Sequence, residues 1–295
     1  MKRIKKRAIE ALFLACVILL FQIDPAQARA KDPFENMKED VFNEYDYIVS
    51  VRKMSREDAE NAGISVEELE LIYSDYAEKE FLRRGLLSDK ELKERYHYST
   101  EQIEQLRAYR GTPLQDSPEM RALSASMSSS LHLFGGTGTI AILTYGWQWS
   151  TMPIIRLTDY VAMVWAGTYI GGTNNMTLHS SSYTRVFYYY TDTVYFPVDY
   201  SVTSGSALPT VGATSNFPIS TGYGDAYRGY MYVKTTLVNM SGPQLMAISA
   251  HAEYAHYTIS INPGVSFPGG MSISFSGINK IYGVQGDTFY IPDPE

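Results

Sequence analysis

Apolar residues along the chain fall into three regimes. The first is an unbroken run from Ala11 to Phe21, set behind Lys2, Arg3, Lys5, Lys6 and Arg7 and followed by a polar stretch ending in Ala26-Gln27-Ala28. Basic, apolar and small-residue zones in that order read as a secretory signal over residues 1–28. The run has 11 residues, against the roughly 20 that a helix needs to cross the hydrocarbon core, so a cleaved signal is preferred to an uncleaved anchor.

The second regime, residues 29–110, has helical spacing in short pieces. Ser55/Asp58, Ser65/Glu68, Ser88/Glu91 and Ser99/Gln102 each open a stretch with the spacing of a capping box, in which a serine oxygen and the residue three places on satisfy each other's free amides. Leu69, Ile72, Tyr73, Tyr76 and Phe81 predict helix across residues 66–84, stopped by Gly85. The starts recur. Met54-Ser-Arg-Glu-Asp58 matches Leu87-Ser-Asp-Lys-Glu91 at an offset of 33, and Ser65-Val-Glu-Glu-Leu69-Glu70 matches Ser99-Thr-Glu-Gln-Ile103-Glu104 at an offset of 34, so a helix-turn-helix unit is expected twice. The offset equals the tetratricopeptide period, but the Trp, Gly, Tyr and Pro positions of that motif are absent. The second copy, ending Tyr98-Ser-Thr-Glu-Gln-Ile103-Glu-Gln-Leu106, resembles helical hairpins that recur in exported proteins of Gram-positive bacteria. That resemblance implies a compartment and no particular activity.

From Met127 the period becomes two. Met271-Ser-Ile-Ser-Phe275-Ser alternates like a half-exposed strand, and residues 139–149, 159–170, 185–196, 229–239 and 246–262 are rich in Tyr, Val, Ile and Thr. Residues 159–170 are apolar on both faces and predict a central strand. Residues 201–224, mostly Ser, Thr, Gly and Pro, read as a long loop or weak hairpin. Pro113 and Pro118 mark residues 111–126 as a linker, with 119–125 a last short helix or part of the same connection. The expected fold is therefore α+β in two domains. A small helical repeat (29–110) precedes an all-β antiparallel sandwich or barrel (127–295) able to fold by itself.

Composition sharpens the boundary: 34 of the 82 residues from Arg29 to Arg110 are charged, against 16 of the 185 that follow. The signal holds five of the 25 basic and two of the 32 acidic residues, leaving 20 against 30 and a net charge of −10. Such a chain repels polyphosphates, so no nucleic-acid partner is expected. Cys16, the only cysteine, lies in the signal's apolar run, which continues five residues past it and so argues against a lipoprotein cleavage site there. Removing it excludes disulfides, a cysteine nucleophile and thiolate metal sites.

No nucleophile elbow surrounds a serine, Gly135-Gly-Thr-Gly138 lacks the Gly-Lys of a P-loop, and no dinucleotide fingerprint is present, so no cofactor is expected. His251-Ala-Glu253-Tyr-Ala-His256 is the densest polar cluster. On a strand His251 and Glu253 share a face while His256 points away, so the three do not converge on a metal, and the pair reads as a solvated structural pair before an acid/base site. Arg156 and Asp159 read as a structural ion pair. The 17 tyrosines after Gly111, with Trp147, Trp149 and Trp165, are the unusual feature. Trp147 with Trp149, Tyr188 with Tyr190, and Tyr230 with Tyr232 share strand faces and are the candidate ligand-binding residues, stacking on sugar rings if exposed and filling the core if not.

These features favour an exported, non-enzymatic protein whose β region binds a cell-surface or extracellular glycan or protein partner, with the helical repeat serving attachment or self-association. One alternative is a β-pore-forming toxin-like protein holding residues 201–224 as a membrane hairpin. Another is an extracellular polymer hydrolase using Glu253, Asp159, Asp192 or Asp225. The small residues before Arg29 and Lys31 predict a mature chain that starts at one of those two positions. Intact-mass measurement of the exported protein checks this, and retention of Met1 with membrane association would show an anchor instead.

Overall fold

The computed structural model describes residues 32–41, 43–169, 172–174, 176–191, 194–204, 212–222, 224–237, 245–256, 264–266, 272–276 and 280–291. The signal region and Asp192 lie outside them. The chain is mixed α and β, helices first and antiparallel strands after. After β1 (Lys38–Val41) come α1 (Glu44–Arg52), α2 (Arg56–Asn61), α3 (Val66–Tyr73), α4 (Tyr76–Gly85), α5 (Asp89–Arg95) and α6 (Thr100–Ala108). Ser55, Ser65, Ser88 and Ser99 cap α2, α3, α5 and α6, each accepting the amide three residues on. Ser88/Glu91 and Ser99/Gln102 complete the reciprocal box.

Three local expectations change. The helix anticipated across residues 66–84 breaks at Ser74, whose extended backbone separates α3 from α4 and whose carbonyl accepts from Arg52. Helix α1 was not anticipated, although Asn43 caps it by accepting from the Asp46 amide. The supposed linker is two 3-10 turns, Leu114–Asp116 and Pro118–Leu123, with Leu114, Met120 and Leu123 wholly buried.

The strands that follow are β2 (Ser126–Thr137), β3 (Ile140–Thr151), β4 (Thr158–Tyr169), β5 (Gly172–Asn174), β6 (Met176–Leu178), β7 (Tyr183–Thr191), β8 (Val194–Ser201), β9 (Thr203–Ser204), β10 (Gly212–Pro218), β11 (Ser220–Thr221), β12 (Gly224–Leu237), β13 (Leu245–His256), β14 (Gly264–Ser266), β15 (Ser274–Ser276) and β16 (Lys280–Tyr290). Among the described residues the first sheet runs β1-β2-β3-β12-β7-β8, with β6 and β11 also on β12. The second runs β16-β13-β4-β10-β9, with β5 on β4, and β14 pairs β15. Strand β4 is central, as its two apolar faces require. Of the two readings of 201–224 the weak hairpin holds, β9 pairing β10, and residues 212–218 also pair with 158–164 of β4, because Ala213 and Phe217 alternate into the core between polar residues. The run at 185–196 is likewise divided between β7 and β8 of one hairpin.

The sheets meet through aromatic rings. Trp147 of β3 stacks on Phe217 of β10 at 5.3 Å and 14°, and Tyr254 of β13 lies 5.5 Å from Trp147 and 5.7 Å from Trp149. The same core continues without a break into the helices through Leu69, Ile72, Phe81 and Leu106. The jump in composition near Arg110 is therefore not a packing boundary.

Charge crosses that seam too. Arg84 of α4 is fully buried and donates to Glu80 (2.9 Å), Tyr98 Oη (2.7 Å) and the Met152 and Pro153 carbonyls (3.2 and 2.8 Å). Arg156 bridges Glu80 (2.6 Å) and Asp225 (2.7 Å), and Arg95 joins Asp225 at 2.7 Å. Both acids accept from two or more guanidinium groups, which offsets their desolvation. Removing Arg84 takes one of three guanidinium partners from Glu80 and leaves the Tyr98 hydroxyl and two β-segment carbonyls without their buried donor. Arg84→Ala is expected to cost about 3–5 kcal/mol, measured by urea unfolding, and a loss under about 1 kcal/mol would show that water replaces the guanidinium.

Candidate functional site

On β12 the side chains alternate strictly over Arg228 to Leu237, so Arg228, Tyr230 and Tyr232 face outward while Met231, Val233 and Thr235 are buried. Antiparallel pairing with β7 sets Tyr183 opposite Tyr232, Arg185 opposite Tyr230 and Phe187 opposite Arg228, after a register shift between Ala226 and Arg228. The result is a half-buried row of rings and guanidinium groups. Tyr183 and Tyr232 stack at 5.1 Å and 19°, and Tyr183 and Tyr230 bring their hydroxyls to 3.3 Å. Phe134 meets Tyr232 edge-on at 6.0 Å. Arg185 lies over the Tyr183 ring at 5.2 Å and is clamped by two bonds to Asp199 (2.6 and 2.7 Å). Burial and the neighbouring Tyr183 hydroxyl keep the Tyr230 phenol protonated, well above its ordinary range.

The far end of the row is roofed by the segment ahead of β1. Gly146 of β3 lies under Pro33, and a Cβ there would strike the Pro33 carbonyl. That carbonyl accepts from Ser130 Oγ at 2.7 Å, and His132 Nε2 lies 2.9 Å from the Glu35 carbonyl. Phe34 thereby sits against Tyr230 (6.2 Å) and Phe187 (6.3 Å), with the Arg228 guanidinium 4.5 Å from its ring centre. Cation–π contact of this kind orients the arginine along the face.

The other aromatic candidates lie elsewhere. Trp147, Trp149 and Tyr188 have no exposed surface and form the inter-sheet core, so they are not ligand contacts. Tyr188 donates its hydroxyl to the Pro218 carbonyl at 2.7 Å. The side chain of Tyr190 lies outside the described residues. Tyr183, Phe187 and Phe34 were missed, although a strand reading of 183–187 with period two already places Tyr183 and Phe187 together; Phe34 had no periodic signal.

The candidate carboxylates separate as well. Asp225 is held within its two arginines, and Arg156 pairs with Glu80 and Asp225 rather than Asp159. Asp159, wholly buried, accepts from Tyr254 Oη and contacts His256 Nδ1 at 2.9 Å. His251 and Glu253 do share a face of β13 and touch directly, Nε2 to Oε1 at 2.6 Å. Glu253 is 8% exposed, so its side of the pair is not solvated. Among the described residues no group of three His, Cys, Asp or Glu could hold a metal ion.

No family model and no curated protein matches the chain. Among solved structures, AvmM, described as catalysing macrocyclization in alchivemycin A biosynthesis, is similar over 57% of this chain and 90% of its own, at 11% identity and a TM-score of 0.27. A DUF4466 family protein from Parabacteroides merdae is similar over 56% of this chain and 44% of its own, at 10% identity and a TM-score of 0.25. Superpositions this partial carry over neither fold nor chemistry.

The buried acids and histidine set a pH optimum. Burial opposes charge on His256, but the Asp159 and Glu44 carboxylates outweigh it and raise its pKa above 6.5. Burial raises Glu44 above 4.5, although His256 and the Ile154 and Ile155 amides pull the other way. Burial also pushes Glu80 up, but Arg83, Arg84 and Arg156 win and hold it at about 2. Groups raised on folding lend stability that is whole below the unfolded value and lost as pH rises through the folded one; Glu80 does the reverse as pH falls below about 4.5 toward 2. Glu80 should therefore lower the melting temperature on the acid side and His256 on the alkaline side, and His256→Gln should flatten the alkaline side of a melting-temperature scan.

Proposed function

We propose that the protein is exported and binds a cell-surface or extracellular glycan on the outward face of its first sheet. The helical repeat serves attachment or self-association, and the β region is read as a two-sheet sandwich. What carries the reading is the row Tyr183, Tyr230 and Tyr232, whose rings are half-buried and held rigid by stacking while the face remains outward. Such rings offer apolar area to the C–H face of a sugar at small entropic cost, and their hydroxyls and Arg185 supply rim hydrogen bonds. A rigid row fits a repeating polymer better than a small compact ligand, because successive rings can meet successive sugars.

Retention on purified cell-wall glycans tests this. Tyr232→Ala is expected to weaken retention at least tenfold, about 1.4 kcal/mol, with little change in melting temperature. Retention unchanged by both Tyr232→Ala and Tyr230→Ala would discard the aromatic row as the binding face.

A further inference from the structure

On the outer face of the second sheet, Glu253 has an anomaly that a structural pair does not explain. Its side chain is 10% exposed, Oε1 meets His251 Nε2 at 2.6 Å, and Oε2 is buried with no hydrogen-bond partner among the described residues. A carboxylate can only accept, so the proton of this contact sits on Nε2, and in the neutral imidazole the lone pair then sits on Nδ1. Nδ1 is itself free of any partner among the described residues, and His251 is 22% exposed. Residue 286, paired with His251, is glycine, and a Cβ there would lie 3.2 Å from Nδ1. The β13–β16 register shifts between Ala252 and Tyr254, an irregularity of the kind that re-aims side chains beside functional sites.

The surroundings of Nδ1 are two-sided. Val164 pairs with His251 and Ala162 with Glu253, and Val265 and Phe275 pack over both small residues. One pairing step away, Ser249 Oγ and Thr288 Oγ1 share a hydrogen bond of 2.9 Å, which occupies one hydroxyl hydrogen and leaves the other available.

We propose that His251 and Glu253 form a hydrolytic general-base site for neutral carboxylic esters, an activity beyond the glycan-binding reading and on the other sheet. Water bound at Nδ1 adds its oxygen to the ester carbonyl carbon as its proton passes to Nδ1. The adduct then collapses, the carbon–alkoxide bond breaks, and the leaving oxygen takes the proton from Nδ1, giving acid and alcohol. His251 is the catalytic residue and Glu253 a positioning residue that holds the tautomer. The apolar wall receives the acyl chain, and the free hydroxyl hydrogen of the Ser249–Thr288 pair faces the developing oxyanion.

Initial rates with p-nitrophenyl acetate and p-nitrophenyl butyrate on the purified full-length protein test the proposal. The wild type should exceed His251→Ala at least tenfold, and butyrate should be preferred. Glu253→Gln should lower kcat with KM little changed, whereas a merely structural role would move the melting temperature and leave kcat intact. Gly286→Val, which alters neither group, should block the reaction at an unchanged circular dichroism spectrum. Equal rates for wild type and His251→Ala, or for wild type and Gly286→Val, would overturn it. Ester hydrolysis and glycan retention are read in separate assays, so this site and the glycan face fail separately.

Discussion

The Arg84 guanidinium has no access to water, and much of the molecule is arranged around that constraint. A permanently charged group in a core needs acceptors in several directions. Arg84 finds them in its own helix at Glu80, in the second helical unit at Tyr98, and in the Met152 and Pro153 carbonyls between β3 and β4. The same short connection gives its Ile154 and Ile155 amides to Glu44 of α1, at 2.6 and 2.7 Å, and its Arg156 to Glu80 and Asp225. Residues 152–156 are thus held by helices on one side and a strand on the other. This is why a charge-rich helical segment and a charge-poor sheet share one core.

That clamp orients the sheets, and the orientation sorts the aromatics by parity. Along β3, Tyr145, Trp147 and Trp149 point inward and join the two sheets with Phe217 and Tyr254. Along β12 and β7 the outward positions carry Arg228, Tyr230, Tyr232, Tyr183, Arg185 and Phe187, so rings of the same chemistry build an outer face. The two roles are linked, because an outer row stays rigid only where the layer beneath it is closely packed. On the second sheet the outward parity of β13 carries Ser249, His251 and Glu253, with inward Ala250, Ala252 and Tyr254 holding the strand in place.

Local signals were read most securely where a few adjacent residues decide the outcome. The four serine caps are visible in the sequence because a cap is a contact between residues three apart, and they hold in the structure. The strands read at residues 139–149, 159–170 and 229–239 follow from short runs of β-branched, aromatic and apolar residues, which are also local. The break at Ser74 was hidden because its carbonyl is taken by Arg52, 22 residues away, and the 3-10 turns at residues 114–123 were hidden because their burial comes from distant helices.

By itself the sequence determined the order of helices and strands, the helix starts, the central place of β4 and the shared face of His251 and Glu253, since each depends on spacing along the backbone. Only the tertiary structure decided which of two strand faces is the inside. It put Trp147, Trp149 and Tyr188 in the core, left Tyr230 and Tyr232 outward, and buried Glu253 against His251. A period of two assigns side chains to faces but carries no sign, and the sign is set by what packs on the sheet from elsewhere in the chain.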